Sequence, residues 1–406
     1  MIDFGSKLGF GTLRLPSNSD DPADINYDEV SRMADAFLAG GGRYFECAYH
    51  YCGGNVEIAA RKALSERHSR DEYDLADKMP VNYVYQASQY ERIFNDQLKK
   101  CGVDYFDAYL LHNIGGQTYE RTAKLGGFEY LKSLKERGLA KLIGFSFHDT
   151  AETLERILAA HHKDIDFVQL QINYLDWLSP AIQSKKCLET ATRYGLPVFV
   201  MEPLKGGKLT TFPQAASISQ DGLDPVSLAL KFAASQEGVA LVLSGMSNTD
   251  EVKSNLKVFA STSKLTDQEL IAIEKVNATF EASKQIQCTK CGYCLPVCPK
   301  KIPIPAIFDL YNGCAQVQET ERLGKGHFRF LYERLTETQA RAESCIKCGK
   351  CESVCSQLLP IRANLELSVS ALVVKPSFKA RIKGKIRAVL SRLGLLDLIM
   401  RLRRKR

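Results

Sequence analysis

Eight cysteines stand in two runs of one spacing. Cys288, Cys291, Cys294 and Cys298 read C-x2-C-x2-C-x3-C with Pro299 next, and Cys345, Cys348, Cys351 and Cys355 repeat it, with Ser356 where proline usually follows. Three thiolates so spaced hold three irons of a cubane, and the fourth cysteine of each run usually reaches the other cluster. The expected ligand sets are therefore Cys288, Cys291, Cys294 and Cys355 on one 4Fe-4S cluster, and Cys345, Cys348, Cys351 and Cys298 on the second. Pairs of C-x2-C also serve tetrahedral zinc, but four cysteines in one tight run, made twice, fit cubanes better. Cys47, Cys52, Cys101, Cys187 and Cys314 read as core or surface thiols.

A second constellation lies upstream. Glu46, Tyr51, Lys78 and His112 stand at, or just past, the ends of short apolar runs. Together they suit carbonyl reduction: a phenol protonates the developing alkoxide, a nearby ammonium favours phenolate, a carboxylate holds the ammonium, and an imidazole orients the carbonyl or shares the proton. Taken singly, such a lysine or glutamate is more often a structural ion pair, and a lone histidine a satisfied polar residue.

The elements that must position these groups follow from eight runs rich in β-branched or aromatic residues: LGFGT, RYFECA, EYDLADK, YFDAYLL, KLIGFSF, DFVQLQI, PVFVME and VALVLSG. They alternate with segments of helical period, such as YDEVSRMADAFLAGG, NVEIAARKALSERH and YERIFNDQLKKCG, the last with Gly102 at its stop, the pattern of a parallel sheet with crossover helices. Eight strands close a barrel, and catalytic groups of such barrels sit at the C-terminal strand ends. The expected fold is an α/β (β/α)8 TIM barrel over residues 1–284, followed at 285–375 by a small, mainly helical ferredoxin-like iron-sulfur domain. Thr266 is the expected N-cap of the last barrel helix. Residues 376–406 form a basic tail with Phe378, Ile382, Ile386, Val389, Leu393, Leu396 and Met400 at steps of three or four. That stripe with its cationic face suits an anionic bilayer surface; the alternatives are docking onto the protein's own domains or a subunit, or a solvated basic end.

Most of Lys7 to about Phe280 resembles the aldo-keto reductase family. LGFGTLRLP looks like its opening strand, and YFECAYHYCGGNVE is similar to its F-D-T-A-x-x-Y-G segment. The resemblance implies that Tyr51 is the proton donor, Lys78 in ADKMP its lysine and His112 in YLLHN its histidine, with Glu46 replacing the family's aspartate. It implies a nicotinamide cofactor stretched across the barrel top without a G-x-G-x-x-G fingerprint. By similarity Ser146 and Gln169 hold the carboxamide and Met201 lies against the nicotinamide face. Leu204, Gly206 and Gly207 approach the pyrophosphate, although the glycines equally fit a simple turn. Ser247 and Asn255 bind the adenosine end, and Glu251 would repel a 2′-phosphate and favour NADH over NADPH. Trp177 could wall the substrate pocket or be ordinary loop packing.

Composition sets the bounds. The chain has 406 residues, 45% hydrophobic and 25% charged, enough for a large core. Its net +7 is concentrated at the end: residues 375–406 carry twelve Lys and Arg against Asp397 alone, +11, which leaves −4 for the remainder. The body thus gives no support to nucleic-acid binding. No secretory or transit signal and no apolar run of spanning length is visible, and cysteines spent as metal ligands point to a reducing compartment, so the expectation is cytoplasmic, with inner-face membrane contact through the tail.

Three functional classes follow. The first is a nicotinamide-dependent reductase of a small carbonyl compound whose clusters are structural or regulatory. The second is an electron-transfer enzyme coupling a redox protein partner to barrel chemistry. The third is a nucleotide-binding redox sensor with little turnover.

Overall fold

The computed structural model describes residues 4–211, 218–219, 221–260, 264–282, 285–316 and 324–373. The tail, and with it the expected amphipathic stripe, lies outside the described residues. Contacts divide the chain into two compact units. The first comprises Met1–Ser283 together with Gln287–Cys291 and Glu352–Leu359; the second comprises Lys284–Ile286, Gly292–Cys351 and Pro360–Arg406. The barrel's unit therefore includes two short pieces of the cysteine region, which a single boundary at 284 does not anticipate.

In the first unit eight parallel strands close into a barrel in chain order: β1 (Leu8–Gly11), β2 (Tyr44–Glu46), β3 (Asp74–Met79), β4 (Phe106–Ile114), β5 (Ala140–Phe147), β6 (Phe167–Gln171), β7 (Val198–Met201) and β8 (Val239–Gly245). Each falls on one of the eight apolar runs. The runs are continuous rather than alternating because parallel strands are covered by helices outside and packed side chains inside.

Inside the barrel, the period of two along a strand stacks inward side chains in layers. Tyr44, Ala76, Ala108, Leu110, Phe167, Phe199, Leu241 and Leu243 form the apolar interior, with Phe4 packed edge-on against Tyr44 and Phe199 at ring separations of 5.0 and 5.6 Å. Two residues further along the same strands come Glu46, Lys78, His112, Gln169 and Met201. The layers thus change from apolar to polar toward the C-terminal ends, so the fold itself gathers the chemistry there. Gly144 on β5 allows the close approach of β6, since a Cβ there would meet the Phe167 carbonyl at 2.4 Å.

The covering helices end as their sequences dictate. Gly102, at φ 66, stops Ser88–Cys101 in the left-handed conformation. Thr266 and Glu269 form a reciprocal cap: the Glu269 amide donates to Thr266 Oγ1 at 3.2 Å, and the Thr266 amide to Glu269 Oε2 at 2.8 Å. No helix among the described residues is long and apolar enough to cross a membrane.

The second unit is mainly helical, with helices Ile304–Gln316, Gly324–Thr338 and Ile361–Leu372. Ile302, Ile304, Ile307, Phe308, Tyr332, Ile361 and Leu365 form its buried centre. The five cysteines outside the two runs are all buried, so the core reading of those thiols holds.

Candidate active site and cysteine centres

Glu46 closes β2, Lys78 is the penultimate residue of β3 and His112 lies near the end of β4, while Tyr51 opens a short 3-10 turn after β2. Lys78 Nζ meets Glu46 Oε1 at 2.6 Å and donates to the Cys47 carbonyl at 2.9 Å. Its ammonium lies 4.9 Å from the centre of the Tyr51 ring, and the His112 ring stands edge-on to Tyr51 at 5.7 Å. All four expected catalytic residues thus come together. The added methylene of Glu46 lets one carboxylate reach two partners, because Oε2 also accepts from Gln169 Nε2 at 2.6 Å.

Burial opposes a charge on Lys78, whose side chain is 1% exposed, but Glu46 and Tyr51 beside it reverse the balance and raise its pKa. The site is a charge pair closed off from water, in which each member depends on the other.

Two further histidines belong to this neighbourhood. His50 stacks on His112 at 5.0 Å and 14° between planes. Burial, then the Lys78 charge, takes His50 down to about 4. Burial also takes His148 down to about 4 despite a hydrogen bond with the Ser356 backbone. His112 falls well below the usual imidazole range, through burial first and then the proximity of His50, Lys78 and His148. All three rings are therefore neutral at physiological pH. The only available sequence signals for the two missed residues were their places, directly before Tyr51 and directly after GFSF.

The residues expected to face a nicotinamide cofactor lie at the same strand ends or beyond them. Ser146 and Gln169 are register partners on β5 and β6, and Ser146 Oγ accepts from the Asn113 amide at 2.8 Å. Met201 ends β7. After it, Lys205, Gly206 and Gly207 run at φ 47, 66 and 83 beside Leu204. The absent Cβ of Gly206 is matched by the Thr289 carbonyl and Arg14 Nη2, each 2.8 Å from where it would lie. Glu251 accepts from the Ser247 amide at 2.8 Å and from Asn248 Nδ2 at 3.0 Å at the start of helix Thr249–Ala260. Asn255 ties that helix to β8 by donating to Ser244 Oγ at 3.1 Å. Trp177 packs edge-on against Phe232 at 5.4 Å, the loop-packing alternative.

The cysteine runs repeat in backbone as well as in spacing. Lys290 and Lys347 both take φ 57 before the second cysteine, Gly292 and Gly349 take φ 80 and 76 after it, and Lys301 and Leu358 take φ 51 and 52 three residues past the fourth. Ser356 in place of proline leaves that turn intact. In the second unit Cys298, Cys345, Cys348 and Cys351 line one cavity, closed by Ile302, Ile304 and Leu365. This is the second ligand set expected from spacing, and four thiols around an apolar cavity fit a cubane. In the first unit Cys355 lies within electrostatic reach of Cys291 and Cys288. Cys294 opens a short helix three residues after Cys291. Among the described residues no group of three or more His, Cys, Asp or Glu side chains converges as on a single metal ion.

The profile of the aldo/keto reductase family matches residues 7–278. The chain belongs to that family. Residues 287–359 match the 4Fe-4S dicluster domain, so this aldo/keto reductase carries an iron-sulfur domain after its barrel. An aldo-keto reductase of Mycolicibacterium smegmatis is 27% identical over 238 residues, 58% of this chain and 78% of the relative. Another, from a Mycobacterium species, is 27% identical over 252 residues, 62% and 83% of the two chains. Among solved structures, the holo form of a Bacillus halodurans aldo-keto reductase superposes with a TM-score of 0.54 at 22% identity, covering 66% of this chain and 91% of that one. A Klebsiella pneumoniae aldo-keto reductase in complex with NADPH gives 0.54 at 19%, covering 68% and 94%. At these identities the structural likeness concerns the fold.

Replacing Glu46 with Leu strands the Lys78 ammonium in the interior, and the barrel is expected to lose about 3–5 kcal/mol, while Glu46→Gln, which keeps an acceptor, loses less. Urea midpoints followed by the fluorescence of the single tryptophan, Trp177, measure both. The imidazoles make a separate expectation. Their pKa values are lowered in the folded state, so as pH falls below about 6.5 the unfolded chain takes up protons that the folded chain refuses, and stability declines toward pH 4. Ring 15N spectra should show His50, His112 and His148 neutral at pH 6; a protonated ring at any of them contradicts the assignment.

Proposed function

We propose that this aldo/keto reductase reduces an aldehyde or ketone to an alcohol with a nicotinamide cofactor, and that it carries two 4Fe-4S clusters. The observation carrying the reading is the Lys78–Glu46 pair at 2.6 Å beneath Tyr51, with a neutral His112 against the same ring. Nicotinamide, when bound, supplies the hydride. Tyr51 holds the carbonyl oxygen by its hydroxyl and gives that proton to the developing alkoxide. Lys78 favours the phenolate left behind, and Glu46 keeps Lys78 charged and in place. His112, uncharged, orients the carbonyl without competing as an acid. Gln169, its amide nitrogen held by Glu46, would hold the carboxamide together with Ser146. Met201 would cover the nicotinamide face, Leu204 and Gly207 would run along the pyrophosphate with Gly206 giving the turn whose open face admits Arg14 and Thr289, and Ser247 and Asn255 would bound the adenosine end. Glu251 repels a 2′-phosphate, so NADH is the preferred cofactor, although the Klebsiella pneumoniae neighbour was solved with NADPH.

Cys288, Cys291, Cys294 and Cys355 are proposed to hold one cluster, and Cys298, Cys345, Cys348 and Cys351 the other. Tyr51→Phe removes the proton donor and is expected to lower the rate of carbonyl reduction at least about 100-fold with cofactor binding and cluster absorbance retained. An unchanged rate would remove Tyr51 from the role.

Electron transfer with a redox protein partner is the second reading. It is favoured by the membership of Cys288, Cys291 and Cys355 in the barrel's own compact unit and by the exposed Cys348. It faces a mismatch, since hydride carries two electrons together and clusters pass one at a time. Anaerobic titration of the loaded protein with NADH and NADPH, following visible absorption with dithionite as control, separates the two. Bleaching by a nicotinamide favours electron transfer; binding without bleaching is the result expected for the reductase with structural or regulatory clusters.

A further inference from the structure

The segment after Cys355 enters the barrel's unit and takes part in a buried polar network. Gln357, 5% exposed, donates through Nε2 to Gln171 Oε1 at 3.0 Å and accepts at Oε1 from Gln171 Nε2 at 3.1 Å. The same Oε1 accepts from Lys205 Nζ at 3.3 Å. Lys205 is in turn fixed by Asp176 at 2.5 Å, and Asp176 also accepts from Gln171 at 2.7 Å and Asn173 at 2.8 Å. These residues are all buried. Gln171 ends β6 and is the register partner of Met201, and Lys205 opens the left-handed turn through Gly206 and Gly207. The neighbouring Ser356 lines a cavity with Phe147, His148, Leu170 and Gln171, and its backbone holds His148.

A reciprocal amide pair is geometrically demanding: both hydrogen bonds require one rotamer and one orientation of each side chain. Buried polar groups are satisfied as a set or not at all, so withdrawing Gln357 disturbs Gln171 and Lys205 together. Gln357 follows the ligand Cys355 by two residues, too short a tether for one to move without the other. We propose that Gln357 is a positioning residue through which the cluster held by Cys355 shapes the nicotinamide end of the barrel, so that cluster occupancy and nucleotide affinity are coupled. This rests on the nicotinamide reading above. Because coupling is reciprocal, a cluster that improves nucleotide binding is itself retained better when nucleotide is bound.

The test uses the full chain with both clusters loaded and quantified by iron and sulfide content. Two quantities are read: the dissociation constants of NADH and NADPH from nucleotide fluorescence, and the rate at which a chelator removes iron with and without each nucleotide. In wild type, nucleotide is expected to slow iron loss about tenfold, within the range usual for coupled sites. Gln357→Leu should weaken nucleotide binding by a similar factor and abolish the protection while the iron content stays at wild-type level. If that variant does not fold, Gln171→Leu/Gln357→Leu, which replaces both partners with apolar groups, serves in its place with the same expected loss of protection. Wild-type affinity and undiminished protection in the variant overturn the proposal while leaving the nicotinamide reading standing. Failure of wild type to bind either nucleotide overturns both, and wild-type binding without any protection overturns the coupling alone.

Discussion

A lysine ammonium held in the interior of a barrel governs much of this structure. Nothing in an apolar layer tolerates such a charge unless a counter-ion is fixed within contact, and Glu46 is that counter-ion. The carboxylate in turn needs its second oxygen satisfied, which engages Gln169 on the far side of the barrel. Three strands are thereby tied through one pair of charges. The same pair decides the protonation of its surroundings, because a fixed positive charge near three enclosed imidazoles helps keep them neutral. Chemistry and architecture share one electrostatic solution, in which a phenol, a neutral imidazole and a buried cation stand against one another.

The parts of this arrangement legible in the sequence are those encoded locally. Parallel strands buried on both faces leave continuous apolar runs, and all eight are visible as such. Cysteine spacing is local chemistry, and in the fold Cys298 of the first run lines one cavity with the three leading cysteines of the second, Cys345, Cys348 and Cys351. Glu46, Lys78 and His112 stand at the ends of β2, β3 and β4 and Tyr51 in the turn just after β2, so the four are legible as a set because the fold makes those ends converge.

What escaped was encoded at long range by ordinary residues. Gln171 and Gln357 are 186 positions apart and Arg14 and Thr289 are 275 apart, and none of these side chains carries a pattern that distinguishes it from a surface residue. Ser356 reads from sequence only as a missing proline, whereas in the fold it lines a cavity beside His148. Gly206 reads as room for a phosphate or as a turn; its open face is matched by the Thr289 carbonyl and Arg14 instead. His50 and His148 are single histidines, and only the proximity of Lys78 and His112 gives them significance.

The interleaved composition of the first unit bears on inheritance. Sequence profiles draw a reductase up to residue 278 and an iron-sulfur module from 287, as though two genes had been joined end to end. The packing does not respect that seam, since Gln287–Cys291 and Glu352–Leu359 belong with the barrel. A recombination event that exchanged the module for an unrelated one would also remove the side chain that meets Gln171 and the carbonyl that meets Arg14. The barrel and the cysteine segments are thus matched to one another at single side chains, and either would lose a buried partner if it were exchanged alone.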